Sequence, residues 1–338
     1  MSQLLLVETA IALVPVLGFL LLLHLFDSYR LASLFEIAQM IVAGVVLAGA
    51  AYYVNGFLLS ATNVDYDIYS HVAGPAVEET LKALAMLALF WRNRIGFIID
   101  AIIAGFAVGT GFALFENVYY LQDFHDASIG DWIIRGFGTA IMHGGTTAVF
   151  AAIGQSWIEK RGRFNLLLFV PALFVAIVVH AVYNYLQAIP SVATFTMLFG
   201  LPPLFYLIFT KNEHAVHQWL VDDYASHEQL IADIESGRFA HTEAGRFIQT
   251  LANRFDKATV DRIFAYLRLH AQLVLRAEKR ELAREKGERI PPDPRDRADL
   301  HRLAELEKEI GAAAMMALWP HLHFSRRELW ELHELTEG

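Results

Sequence analysis

Seven apolar stretches crowd the first 210 residues, each near the ~20 residues a helix needs to cross a hydrocarbon layer. They run over about 4–25, 34–60, 71–91, 96–121, 132–157, 164–187 and 192–210. The first starts almost at Met1 with no Lys or Arg before Arg30, which reads as an uncleaved span. The second is long enough to tilt, or to break near Asn55-Gly56. Charge is distributed to match. Residues 1–210 carry 8 Lys/Arg and 13 Asp/Glu, whereas residues 211–338 carry 19 and 23. The expected fold is therefore all-α: a polytopic membrane bundle of about seven transmembrane helices (1–210) followed by a soluble helical domain (211–338).

Loop charges orient the bundle. The loops after spans 1, 3 and 5 hold Arg30, then Arg92 and Arg94, then Lys160, Arg161 and Arg163. The loops after spans 2 and 4 hold only acids, Asp65, Asp67, Asp123, Asp126 and Asp131, and the loop after span 6 has no charge. Arg135, just inside span 5, is the one cation toward that side. Basic loops stay in the cytoplasm, so the expectation is a multi-pass protein of the cell (inner) membrane, N-terminus outside and residues 211–338 cytoplasmic. With no cysteine, disulfides, thiolate metal sites and a cysteine nucleophile are excluded. The net charge of −9 gives no support for nucleic-acid binding.

The tail repeats apolar residues at helical spacing over 213–235, 241–255, 257–288, 296–318 and 325–336, with a break at Pro291, Pro292 and Pro294. Glu278, Glu281, Arg284, Glu285 and Glu288 read as a solvated, salt-laced helix face. His321 and His323, near Trp319 and Trp330, are more readily surface or packing histidines than metal ligands. The tail reads as an interaction domain with a possible role for a cytosolic partner.

Ionisable residues stand where lipid does not welcome them. Span 3 holds Glu78, Glu79 and Lys82, span 4 Glu116 and Asn117, span 5 His143, and span 6 His180 and Asn184. At about 2.5–3.5 kcal/mol per central charge, the four charged residues would together cost roughly 10–14 kcal/mol if left unpaired. Counted from the outer ends of their helices, these residues lie roughly 8–17 Å down at about 1.5 Å per residue. Four helices of alternating direction thus bring them to one level. Lys82 is i+4 from Glu78 and i+3 from Glu79, so it can neutralise either. Gly74-Pro75 can bend span 3, and Gly105/Gly109 and Gly144-Gly145 allow close helix approach.

Two carboxylates, two histidines, an asparagine and a lysine suit water activation. In one route Glu116, His143 and His180 hold a divalent metal such as zinc, and Glu78 or Glu79, tuned by Lys82, is the general base. In the other no metal is present: a buried glutamate deprotonates water, and a histidine with Asn184 stabilises the oxyanion. Both lead to hydrolysis of an acyl bond, a peptide bond in or near the membrane. A cation or proton-coupled transporter is the alternative from another class, since intramembrane acids and histidines also mark ion pathways. Gathering in one leaflet speaks against a path across.

The motifs Glu78-Glu79-Thr80-Leu81-Lys82 (EExxK), Phe112 to Glu116-Asn117 (FxxxEN), His143 with Thr147, and His180 to Asn184 (HxxxN) follow in order. In this order and spacing the chain resembles the PrsW family of intramembrane proteases over about residues 35–210. That family is similar to the CAAX-processing and bacteriocin-processing proteases. The resemblance implies a metalloprotease, with a glutamate-type mechanism as the alternative. It also implies cleavage of a membrane-anchored protein substrate near the outer face of the lipid bilayer, such as site-1 cleavage of an anti-sigma factor. It would make Glu78, Glu79, Glu116 and His180 essential, and His143 a further ligand or oxyanion donor.

Overall fold

The computed structural model describes residues 3–26, 33–92, 94–123, 126–161, 164–242, 245–246, 248, 256–288, 290–311, 315 and 335; over 210–226 it describes the backbone alone. Arg30, Arg163, His321 and His323, with most of 241–255 and 316–336, lie outside the described residues. The described residues are helical, with no strand among them. The chain divides into two compact units, Met1–Asn212 and Glu213–Gly338.

The first unit contains α1 (Gln3–Phe26), α2 (Leu34–Thr62), α3 (Gly74–Trp91), α4 (Ile98–Asp123), α5 (Ala140–Arg161), α6 (Val170–Leu186) and the first part of α7 (Pro190–Glu235). Among the described residues, five segments are long and apolar enough to cross a membrane by length and composition: Leu4–Leu25, Leu34–Thr62, Ile98–Asp123, Leu166–Leu186 and Pro190–Phe209. The stretches expected at 71–91 and 132–157 are absent from that set. The physical reason lies in what they carry. In 18 residues α3 holds Glu78, Glu79 and Lys82. The 132–157 stretch is divided by a π-helical turn, Arg135–Thr139, between a short helix (Ile129–Ile134) and α5.

Local chemistry sets the boundaries. Ser33 and Glu36 form a reciprocal capping box that starts α2. Asn63, in the left-handed region at φ 50°, ends it. No break occurs at Asn55-Gly56; α2 is continuous. The bend expected from Gly74-Pro75 takes the form of a π turn, Tyr69–Ala73, in which the Gly74 N–H donates to the Tyr69 carbonyl. Pro75 follows as the second residue of α3, and the Ser70 carbonyl one turn before it accepts from the Asn184 side chain.

The centre of this unit is α4, whose residues from Ile99 to Ala113 are buried without interruption. Glycines bring its backbone against both neighbours. A Cβ on Gly109 would overlap the His143 carbonyl oxygen, and one on Gly105 would come 2.6 Å from the Thr147 carbonyl oxygen, both on α5. On the other side, a Cβ on Gly44 would overlap the Val108 carbonyl oxygen, and one on Gly111 that of Ile41, joining α2 to α4. Contact this close is the use that small residues have between membrane helices.

In the second unit, α8 (Lys257–Glu285) begins at Asp256, whose side chain accepts from the Thr259 N–H at 2.7 Å. It packs Ile263, Leu267, Leu273 and Ala277 with Leu303, Leu306 and Ile310 of α9 (Asp296–Ile310). Arg276 bridges to Asp296 at 2.9 Å and Asp299 at 2.5 Å, and Arg280 also pairs with Asp296. The solvated face expected around Glu278 and Glu281 is corrected here. Both are buried, Glu278 against His227 at 3.1 Å and Glu281 against Arg284 at 2.7 Å. They share the inner face of α8 with His270, Val274 and Ala277, so charge alone misjudged the face.

Candidate active site

Four helices supply the polar cluster, and it closes as a connected network. Glu79 and Lys82 sit one turn apart on α3, both buried, with Lys82 Nζ 2.5 Å from Glu79 Oε1. The same Glu79 oxygen accepts from Thr146 Oγ1 of α5 at 3.1 Å and contacts His180 Nδ1 of α6 at 2.7 Å. Three donors on one oxygen hold Glu79 in place. Lys82 Nζ also lies 3.3 Å from His143 Nδ1 and 5.0 Å from the Phe112 ring centre. A buried ammonium is costly unless paired, and this one is paired.

His143 is held from its other side. Its Nε2 lies 2.7 Å from Glu116 Oε2 on α4, and its ring meets His180 edge-on with centroids 5.0 Å apart. The other Glu116 oxygen accepts from Arg135 at 2.9 Å. Arg135 also donates to Asn117 Oδ1 at 3.1 Å and lies over the Tyr120 ring at 3.8 Å. Each histidine is thus backed by a carboxylate, Glu79 behind His180 and Glu116 behind His143. This orients the rings and sets which nitrogen carries the proton.

Glu78 is placed differently. It is part-exposed and lines a cavity of about 750 Å³, together with Glu116, His143, His180, Asn184, Asn55 and several tyrosines. Its Oε1 accepts from Asn55 at 3.3 Å, and Asn55 in turn accepts from the Tyr69 hydroxyl at 3.0 Å. Its Oε2 is 3.8 Å from His180 Nε2. Asn184 also lines the cavity, but its side-chain amide donates to the Ser70 carbonyl at 2.9 Å, tying α6 to the π turn before α3.

All seven residues singled out in the sequence, Glu78, Glu79, Lys82, Glu116, His143, His180 and Asn184, therefore belong to one region. The metal-capable group differs from the expected trio. Among the described residues, Glu78, His143 and His180 offer ligand atoms that all lie within 4.8 Å of one another. Glu116 is not in that group; its two oxygens are taken up by His143 and Arg135. Two imidazoles and a carboxylate are a donor set that fits a divalent ion: Glu79 holds Nδ1 of His180 and leaves Nε2 to the cavity, and His143 would join by exchanging its Nε2 contact with Glu116 for the ion.

Sequence reasoning missed Arg135, Thr146, and the Asn55–Tyr69 pair. Arg135 had a signal, being the lone cation on the acidic side of the bundle. Thr146 and Asn55 had none, because a hydroxyl or amide inside an apolar stretch is compatible with ordinary helix packing.

A family model described as "PrsW family intramembrane metalloprotease" matches residues 33–209. Comparison with curated proteins and with solved structures gives no match.

Proposed function

This chain belongs to the PrsW family of intramembrane metalloproteases, and from that premise we propose that it is an endopeptidase that hydrolyses a peptide bond of a membrane-anchored protein in the cavity lined by Glu78, His143 and His180. The observation that supports this best is the pair of histidines, each backed by its own carboxylate, facing one cavity with a further carboxylate at hand. We further propose seven crossings, including 71–91 and 132–157, whose charges are spent on the site. The basic loops then face the cytoplasm, the cavity lies toward the outer face of the inner membrane, and residues 211–338 form a cytosolic domain open to a partner. An anti-sigma factor cut on the outer side is the substrate class we favour.

Glu78, His143 and His180 would hold the metal, with zinc the ion best matched to nitrogen and carboxylate donors. When bound it supplies Lewis acidity toward water and the scissile carbonyl. The protein's own groups divide the remaining work. Glu79 keeps Nδ1 of His180 engaged, so that Nε2 is the nitrogen turned toward Glu78. Lys82 neutralises Glu79, and Arg135 neutralises Glu116. Glu78 makes no ion pair with Lys or Arg among the described residues. With its Oε2 turned toward His180 and the ion, we assign its Oε1 to take a proton from the attacking water and return it to the leaving amine. Asn55 and Tyr69 steady it.

The test uses the protein reconstituted in liposomes with dye-labelled single-span peptides. Wild type is expected to cleave, and Glu78→Gln and His180→Ala to lower turnover by about 10²–10⁴-fold. A tight chelator should abolish cleavage and added zinc restore it. Undiminished cleavage by both variants overturns the assignment. Zinc or proton flux that vanishes in Glu78→Gln, with no cleavage by wild type, puts the transport reading in its place.

A further inference from the structure

The Arg135 guanidinium is seated in a socket that α4 presents on one side. Glu116, Asn117 and Tyr120 supply an acceptor at 2.9 Å, an acceptor at 3.1 Å and a ring face at 3.8 Å. The socket is itself braced. Asn117 is buried, and its amide nitrogen donates to the Ala12 carbonyl of α1 at 2.8 Å, which leaves its oxygen for the arginine. Beside it, a Cβ on Gly136 would overlap the Ile11 carbonyl oxygen of α1. Pro15, four residues after Ile11, has no N–H to occupy that carbonyl.

Backbone geometry puts Arg135 there. Arg135 opens the π turn Arg135–Thr139, closed by the Ala140 N–H donating to the Arg135 carbonyl. Such a turn absorbs one extra residue. In a regular α-helix at about 100° per residue, the eight steps from 135 to 143 would leave the two side chains roughly 80° apart. With one residue absorbed, about 700° of rotation brings them within roughly 20° of the same face. Arg135 and His143 can then grip the two oxygens of the same carboxylate, and they do.

We propose that Arg135 is a positioning residue: the π turn delivers its guanidinium to Glu116 so that this carboxylate presents its second oxygen to His143 and fixes that ring toward the cavity. The inference rests on the proteolytic reading for its kinetic consequence, but the orientation of His143 is measurable without it. A planar fork that also stacks is what lysine cannot reproduce, so the conservative variant separates charge from geometry.

The experiment uses the full chain in nanodiscs, with the dye-labelled single-span peptide inserted in the same discs as the kinetic probe and ¹⁵N-histidine NMR as the structural one. Arg135→Met is expected to lower kcat on the order of 100-fold, as misplacement by about an ångström does, with KM within about twofold. Arg135→Lys should recover part of that loss. In a Glu116→Gln background, Arg135→Met should cost less than about threefold more, because both act through one carboxylate. The His143 ring ¹⁵N resonances of wild type should shift in Arg135→Met and shift less in Arg135→Lys. If Arg135→Met does not fold, Asn117→Ala, which removes one wall of the socket, should move the same resonances in the same direction. An unchanged His143 resonance, or losses that multiply with Glu116→Gln, overturns the proposal. Single-span peptide left intact by wild type tells against the proteolytic reading and leaves the NMR result to decide this one.

Discussion

Lys82 is fully buried among apolar helices, and Glu79 beside it is 2% exposed. Both charges are affordable only together, because a buried ion whose partner is removed keeps its desolvation cost and loses its attraction. Glu79→Gln and Lys82→Met should therefore each destabilise the protein by about 3–5 kcal/mol, whereas the double variant should regain much of that loss. Thermal unfolding in detergent reads the difference. Glu78→Gln should behave in the opposite way. This carboxylate is part-exposed and held by the 3.3 Å contact from Asn55 and a long 3.8 Å approach to His180, so its loss should abolish turnover while the unfolding midpoint moves little. Equal destabilisation by Glu78→Gln and Glu79→Gln would refute the division of roles between adjacent carboxylates. The EExxK spacing made Lys82 a partner for either glutamate; which one it serves depends on Thr146 and His180, 67 and 101 residues away from Glu79.

At the scale of elements, the site is positioned by backbones that touch. The carbonyl that a Cβ on Gly109 would strike belongs to His143 itself, so the α4–α5 distance sets where the imidazole sits. Gly109→Ala is expected to destabilise by about 1–3 kcal/mol, the usual cost of overpacking, and to lower activity as His143 shifts. Gly18 and Gly56 meet nothing within 4 Å, so alanine there should be harmless. Comparing unfolding midpoints of the three variants decides between a packing seam and a generic dislike of alanine. The GxxxG step at Gly105 and Gly109 was legible as a close-approach motif. The π turns were not. Each depends on a carbonyl finding its partner five residues on, at Gly74 and at Ala140, a choice that side-chain periodicity does not encode.

At the scale of the molecule, the second unit carries a titratable group of its own. In the second unit, burial and then the neighbouring His227 hold the His270 imidazole down to about 3. A folded value below the unfolded 6.5 means that the unfolded chain binds the extra proton. The stabilising contribution is thus complete above about pH 6.5 and is lost as pH falls through the window from 6.5 to about 3, by up to ~1.4 kcal/mol per pH unit. Urea unfolding of the full chain, followed by hydrogen exchange over 257–285, should show this decline, and His270→Leu should flatten it. Reading along the chain was enough for the helical class, the motif order and the choice of seven polar residues that the structure gathers in one region, because hydropathy and charges within apolar stretches are local quantities that survive without coordinates. Partners were another matter. That Glu78 offers a ligand atom within 4.8 Å of both histidines, that His143 and Arg135 occupy Glu116, and that Glu278 is buried were decided by tertiary structure alone. Each depends on which atoms distant helices bring within about 3–5 Å, and a rotation of one helix by a fraction of a turn changes the answer while leaving every residue in the sequence where it was.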